Sequence, residues 1–179
     1  MARPIVARAS LSQLHQTDWE PACLAALDPA ARERAAAIRH PRRRQQFLLG
    51  RYLMRQLLLS ACGPQANDWS LSALPGRRPQ LERGEDALSP AVSIAHSGDC
   101  VICACLCADT VRADGVGVDV EQVRPRDFAA LAPACMPPDE LDAFLQLEDS
   151  ARAEDFYRRW AAREACAKSL DATKAPPFD

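Results

Sequence analysis

Two short stretches of the chain gather the residue types that do chemistry. The first is Gly115-Val116-Gly117-Val118-Asp119-Val120-Glu121. In a strand, the period of two sets Asp119 and Glu121 on one face and Val118 and Val120 on the other. Two carboxylates on one rigid face suit a hard divalent cation such as Mg²⁺, which takes oxygen ligands and keeps water or phosphate oxygens in its other positions. The same pair also suits the solvated side of a half-buried strand. The second stretch is Trp160-Ala161-Ala162-Arg163-Glu164-Ala165-Cys166-Ala167-Lys168. On a helix Glu164 and Lys168 share a face, where they make an ordinary ion pair or offer a third carboxylate and an ammonium to a phosphate.

Charge is segregated around these stretches. Residues 30–60 hold eight arginines (32, 34, 39, 42, 43, 44, 51 and 55) against one acid, Glu33, while fifteen of the 24 acids lie from Asp109 onward. A basic first part suits an anionic ligand, and a carboxylate-rich second part suits a metal or acid–base work. The formal net charge of −2 argues against a dedicated nucleic-acid binder. Only two residues are lysines, Lys168 and Lys174. Of the eight cysteines, Cys100, Cys103, Cys105 and Cys107 superficially resemble a metal cluster. The apolar residues between them read instead as a strand on which Cys103, Cys105 and Cys107 share one face and act as small hydrophobes.

The elements that must position these residues follow from pattern. Ile5–Ala9 reads as a first strand, and helices are expected over about residues 19–27 and 30–38. The strongest helix runs from Pro41 to about Cys62, with proline in its first turn and Gly63-Pro64 ending it. Short extended pieces fall around Trp69–Leu74 and Pro79–Leu81, and strands at 91–95, 101–107 and 116–121. Helical pattern returns after Pro125, with a helix start at Pro137-Pro138-Asp139-Glu140 and a last helix over about 151–170. A chain of 179 residues, 48% hydrophobic and 26% charged, supports a packed core. No apolar run reaches the length of a membrane span, and no secretion signal is read at the N-terminus, so the expectation is a cytoplasmic protein with reduced cysteines. The order of elements fits an α+β protein, with two similar halves as one arrangement.

Taken together, the two chemical stretches, about forty residues apart, resemble the signature motifs of the 4′-phosphopantetheinyl transferase superfamily. Its approximate pattern is (V/I)G(V/I)D(I/V)E followed by (F/W)xxKE(A/S)xxK. Three upstream features resemble the surfactin-synthetase-activating, or Sfp-like, branch: Arg78-Pro79, Ser93-Ile94-Ala95-His96-Ser97, and the helix with Gly50-Arg51-Tyr52-Leu53-Met54-Arg55. The chain departs from the pattern in having Arg163 where the family has lysine, and Ser93 and Ala95 where it has Asn and Ser. Only eleven residues follow Lys168, where Sfp-like members continue with further strands.

The resemblance implies an α+β fold of two similar α/β halves with antiparallel strands. Residues 1–110 would form an N-terminal half with the Arg-rich coenzyme A-binding helix, and 111–179 a short C-terminal half with the metal-binding carboxylates. It implies transfer of the 4′-phosphopantetheine arm of coenzyme A to a serine of an acyl or peptidyl carrier protein, releasing adenosine 3′,5′-bisphosphate, with secondary-metabolite carriers preferred by analogy. Asp119, Glu121 and Glu164 would hold Mg²⁺, with Glu164, Lys168 and Asp119 catalytic. Arg44, Arg51, Arg78 and His96 would bind coenzyme A, although His96 also fits a plain turn in His96-Ser97-Gly98-Asp99. The short C-terminal half implies a compact monomer or self-association. Two other readings stay open: a non-catalytic coenzyme A- or carrier-binding descendant of the fold, and a Mg²⁺-dependent nuclease, which would need a basic groove beside the acids.

Overall fold

The computed structural model describes residues 3–14, 18–72, 79–82, 90–107 and 115–170. Its elements in order are β1 (Ile5–Ser10), α1 (Trp19–Ala25), α2 (Pro29–Ala37), α3 (Pro41–Cys62), β2 (Ser70–Leu71), β3 (Leu81–Glu82), β4 (Ala91–Ser97), β5 (Cys100–Leu106), α4 (Phe128–Cys135), α5 (Pro138–Leu145) and α6 (Asp149–Ser169). This is the mixed helix and antiparallel-sheet architecture expected. Helix α3 has the expected bounds: Pro41 opens it, the His40 side chain accepts the Arg43 N–H as a cap, and Gly63 at φ 80° ends it.

The main sheet has the order β1-β5-β4, antiparallel throughout, and β2 and β3 make a separate two-stranded ribbon. Strands β4 and β5 form a hairpin in which Ser97 pairs with Cys100 across Gly98-Asp99, and Gly98 takes a φ of 56°. Helix α3 crosses the sheet. Gly50 faces it closely, since a Cβ there would lie 3.1 Å from Ile94 Cγ2. The N-terminal end of α3 also grips the hairpin turn: Gln46 Nε2 donates to Gly98 O at 2.8 Å, and Arg42 ion-pairs with Asp99.

Apolar burial falls into separate clusters. Met54, Leu57 and Leu58 pack with Ala66, Trp69, Cys103 and Cys105 between α3 and the sheet, and Cys23, Leu27, Ala31, Ala35 and Leu48 join α1 and α2 to α3. A third cluster of Phe128, Ala132, Met136, Phe144, Phe156 and Tyr157 holds α4, α5 and α6. Its rings meet at tilted and edge-on angles, with Phe128 and Tyr157 at 82°.

One expected strand is corrected. Residues 116–121 belong to no strand, although β4 is an edge of the sheet beside which they run. Two serine hydroxyls take the place of a backbone ladder. Ser93 Oγ accepts from Val118 N at 3.1 Å, and Ser97 Oγ accepts from Gln122 N at 3.0 Å. Both pairs are 25 residues apart, so the segment runs parallel to β4 at constant offset. The residues 116–121 cover an edge that would otherwise expose unpaired groups.

From its other side the segment meets α6 backbone to backbone. A Cβ at Gly117 would lie 1.7 Å from the carbonyl oxygen of Ala165, and one at Gly115 2.0 Å from that of Ser169. Gly115 also has a φ of 134°, which L side chains rarely adopt. Gly117→Ala is therefore expected to unseat α6 and lower stability by about 1–3 kcal/mol, a fall of several degrees in Tm. Gly50→Ala meets the Ile94 Cγ2 methyl at 3.1 Å rather than a main-chain carbonyl and gains helix propensity, so it should cost clearly less than Gly117→Ala. Equal thermal melts of the two variants would disprove the close seating.

Candidate functional site

The site is assembled where β4, the 115–122 segment and the C-terminal turns of α6 converge. Lys168 Nζ reaches across to Asp119, donating to Oδ1 at 2.5 Å, with Val118 O at 3.5 Å. The Asp119 side chain is only 7% exposed and that of Lys168 29%. The second Asp119 oxygen, Oδ2, is buried and has no hydrogen-bond partner among the described residues. Such a carboxylate oxygen is costly unless something neutralises it.

Glu121, two residues on, accepts from Ser97 Oγ at 3.0 Å through Oε2. Ser97 thus carries two duties, holding the backbone at Gln122 and orienting Glu121. Glu121 also borders a cavity of about 390 Å³ whose other lining residues include Arg126, Tyr157 and Trp160. Glu164 lies half-buried on α6, one turn before Lys168, and none of its side-chain bonds is to a described residue. The oxygens of Asp119, Glu121 and Glu164 do not all stand within 4.8 Å of one another; among the described residues, that proximity is found for Cys62, Cys105 and Cys107.

The residues nevertheless fit a hard cation: the donors are carboxylate oxygens, and one is buried and orphaned. Magnesium does not need a closed protein cage, because it retains waters and substrate phosphates.

His96 belongs to this site electrically. Burial pushes its pKa down to about 4, the positive fields of Arg43 and Lys168 push the same way, and Asp119 opposes them. The imidazole is therefore neutral at pH 7.

The arginines of α3 divide by helical stripe. Residues 43, 46 and 50 follow one stripe, on which Gln46 binds the hairpin turn and Gly50 meets β4. Residues 44, 51 and 55 follow another. Arg44 ion-pairs with Glu20 of α1 at 2.6 Å. Glu20 is held below the usual carboxylate range, chiefly by its bond from Gln45 and also by Arg44. Arg51 donates to Leu71 O at 2.8 Å and sits 5.0 Å over the Phe47 ring. Burial lowers its pKa to about 10. Arg51 and Arg55 line a cavity of about 360 Å³ with Asp28, Asp68 and Trp69.

The expected residues are thus partly gathered. Asp119, Lys168 and His96 share one electrostatic neighbourhood and Glu121 adjoins it, whereas Arg44 and Arg51 face away along a second stripe. Arg78 lies outside the described residues. Arg43, one of the eight clustered arginines but not among the four residues expected to bind coenzyme A, is the arginine whose field reaches His96. The seven-residue spacing from Arg43 to Gly50 is the signal that finds it. Ser93 and Ser97 were legible only as parts of a motif, not as the supports of the carboxylate segment.

Residues 115–178 match the model of the 4′-phosphopantetheinyl transferase superfamily. A Haemophilus influenzae protein named "Putative 4′-phosphopantetheinyl transferase" is 40% identical over 77 residues, covering 43% of this chain and 32% of that protein. The chain therefore spans about a third of the relative's length in the match. The matched segment contains Asp119, Glu121, Glu164 and Lys168 together with the two glycines that seat α6. No helix among the described residues is long and apolar enough to cross a membrane.

The depressed His96 pKa has a consequence for stability. In the unfolded chain the ring takes its proton near pH 6.5, while in the folded protein it stays neutral until about pH 4. Between those values the unfolded state binds more protons, so stability falls as pH is lowered through this window. His96→Gln should flatten the dependence by up to ~1 kcal/mol per pH unit, less whatever solvent screens around the half-buried ring. Urea melts at pH 7 and 5 on both proteins measure it, and identical slopes would remove His96 from the buried site.

Proposed function

We propose that this chain transfers the 4′-phosphopantetheine arm of coenzyme A to a serine of an acyl or peptidyl carrier protein, as a member of the Sfp-like branch. The observation that carries the reading is the buried, orphaned Asp119 Oδ2 beside the Asp119–Lys168 ion pair, inside the superfamily segment. Asp119, Glu121 and Glu164 are the residues that would hold Mg²⁺. The ion would neutralise charge on the coenzyme A pyrophosphate and hold it for in-line displacement.

The rest of the chemistry falls to the protein's own groups. Glu164, half-buried and without a bond to a described residue, accepts the proton of the carrier serine. The serine oxygen then bonds to the phosphorus that bears the pantetheine arm. The pyrophosphate bond breaks, and adenosine 3′,5′-bisphosphate leaves. Lys168 shares an α6 face with Glu164 and places an ammonium where charge builds on the leaving phosphate. The neutral His96 donates one ring N–H to a phosphate oxygen. Arg43, beside His96, supplies a guanidinium suited to bidentate phosphate pairing, with Arg78 as a second; Arg44 and Arg51, on the other stripe, would meet only a part of coenzyme A that extends beyond this site.

The proposal includes the division into an N-terminal half, 1–110, and a C-terminal half, 111–179. The separate packing of the α4–α6 aromatic cluster from those around α3 supports it. Secondary-metabolite carriers in the cytoplasm are the preferred partners by analogy with the branch.

The test is the intact mass of an apo carrier protein incubated with this chain, coenzyme A and Mg²⁺, with EDTA as control. A Mg²⁺-dependent gain of one phosphopantetheine arm is expected. Asp119→Asn should lower that rate by about a hundredfold or more while the fold persists, and full turnover in that variant at saturating Mg²⁺ would overturn the metal assignment. Arg43→Ala should raise the coenzyme A Kd by roughly tenfold, more than Arg44→Ala, whose guanidinium is engaged by Glu20. The reverse order in calorimetric titrations would place the ligand on the other stripe.

A further inference from the structure

Far along α3 from the carboxylates, three thiols meet. Cys62 is the last residue of α3, Cys105 lies near the end of β5, and Cys107 follows it. Their sulfurs all lie within 4.8 Å of one another. Cys62 Sγ is 2.8 Å from Cys107 Sγ, and Cys105 Sγ is 3.6 Å from Cys107 Sγ. The surroundings are apolar, with Met54, Leu57, Leu58, Ala66 and Trp69 in the same cluster. Nothing in the phosphopantetheinyl transfer chemistry uses these groups.

Two chemistries suit three thiols, a soft metal ion or a disulfide, and the distances choose between them. Thiolates bound at about 2.3 Å to one Zn²⁺-sized ion stand roughly 3.7–4.0 Å apart. The 2.8 Å between Cys62 and Cys107 is too short for two such ligands. It is also well inside the contact distance of two sulfurs, and less than about 1 Å beyond a disulfide bond of ~2.05 Å. The apolar setting agrees. Burial pushes the Cys105 thiol far up, the neighbouring Cys107 and Cys62 add to it, and among the described residues no cation offsets them, which disfavours the thiolates a metal ion needs. Cys62 and Cys107 are half-buried and reachable from solvent, whereas Cys105 is fully buried.

We propose that Cys62 and Cys107 are a reversible disulfide-forming site whose oxidant is a small-molecule disulfide of the glutathione type. One cysteine thiolate attacks a sulfur of glutathione disulfide, forming a mixed disulfide and expelling a glutathione thiolate. The other cysteine thiolate then attacks the protein sulfur of that mixed disulfide, closing the bridge and expelling the second glutathione. Two protein thiols give up two electrons and two protons, and one glutathione disulfide becomes two glutathione thiols. The bridge ties the end of α3 to the end of β5 and closes the chain from residue 62 to 107, restricting the unfolded ensemble.

The experiment treats the folded full chain with glutathione disulfide, then alkylates it under denaturing conditions and measures its intact mass. Six alkylations instead of eight are expected. A non-reduced tryptic digest should join the peptide 56–77, which holds Cys62, to 84–112, which holds Cys100, Cys103, Cys105 and Cys107. The link should vanish in Cys107→Ser and in Cys62→Ser and persist in Cys105→Ala. Oxidation should raise Tm by about 5 °C or more, reversed by dithiothreitol. Eight alkylations after oxidation, or a link that survives Cys107→Ser, would overturn the proposal. So would stoichiometric Cd²⁺ uptake with thiolate charge-transfer absorption that shields all three cysteines from alkylation.

Discussion

Everything at the carboxylate site depends on how closely the 115–119 backbone approaches the C-terminal turns of α6. Side-chain packing ordinarily holds a helix and an extended segment about 10 Å apart, axis to axis. Here the positions facing the helix are glycines, and any Cβ would enter a main-chain carbonyl. The missing side chains let the two backbones touch, and only that closeness allows Lys168 to span to Asp119. The ion pair is thus a product of sterics before it is one of charge. A half-buried pair of this kind gains little stability, because desolvation offsets much of the Coulombic attraction. Its value lies in position: one carboxylate oxygen is neutralised and the other is left buried and bare.

Support from the opposite side comes from two hydroxyls. Ser93 and Ser97 stand four residues apart on β4 and so share a face. Each fixes one backbone N–H of the segment, and Ser97 also holds Glu121. A true fourth strand would have directed its N–H and C=O groups into a ladder, fixing the pleat by main chain alone. Hydroxyl tethers leave the carbonyls of the segment available, and Val118 O lies near Lys168 as a result. The segment is clamped between serines and glycines rather than woven into the sheet.

The legible and illegible parts of this arrangement divide along physical lines. Helix α3 could be read closely because both its ends carry strong local signals, Pro41 and Gly63. The two strands of the β4–β5 hairpin were readable at 91–95 and 101–107, with bounds shifted by a residue or two, while their pairing across Gly98-Asp99 was not. Residues 116–121 were read as a strand because alternation reports an extended chain with two unlike faces. It does not report which groups satisfy the backbone. The arginine cluster announced an anion site by its number, but its partition into two stripes depends on Glu20, 24 residues before Arg44, and on the sheet under Gly50. In the same way, the run of cysteines on β5 was visible as a strand face, while Cys62 joins it only through tertiary packing.

Helix α3 links these observations because it is long. Its 22 residues span about 33 Å at 1.5 Å per residue. The N-terminal end grips the hairpin turn and carries Arg43 toward His96, and the C-terminal end carries Cys62 to the thiols. A covalent tie at the far end therefore cannot act on the reacting groups by contact. It acts by holding the helix on the sheet that both ends share, through the cluster of Met54, Leu57, Leu58, Cys103 and Cys105. Because that core also seats Gly50 against β4, the strand bearing Ser93, His96 and Ser97, the alignment of the carboxylate segment is bound to the packing of α3. The glycines bring α6 to the segment, the serines bring the segment to β4, and α3 fixes β4 in place.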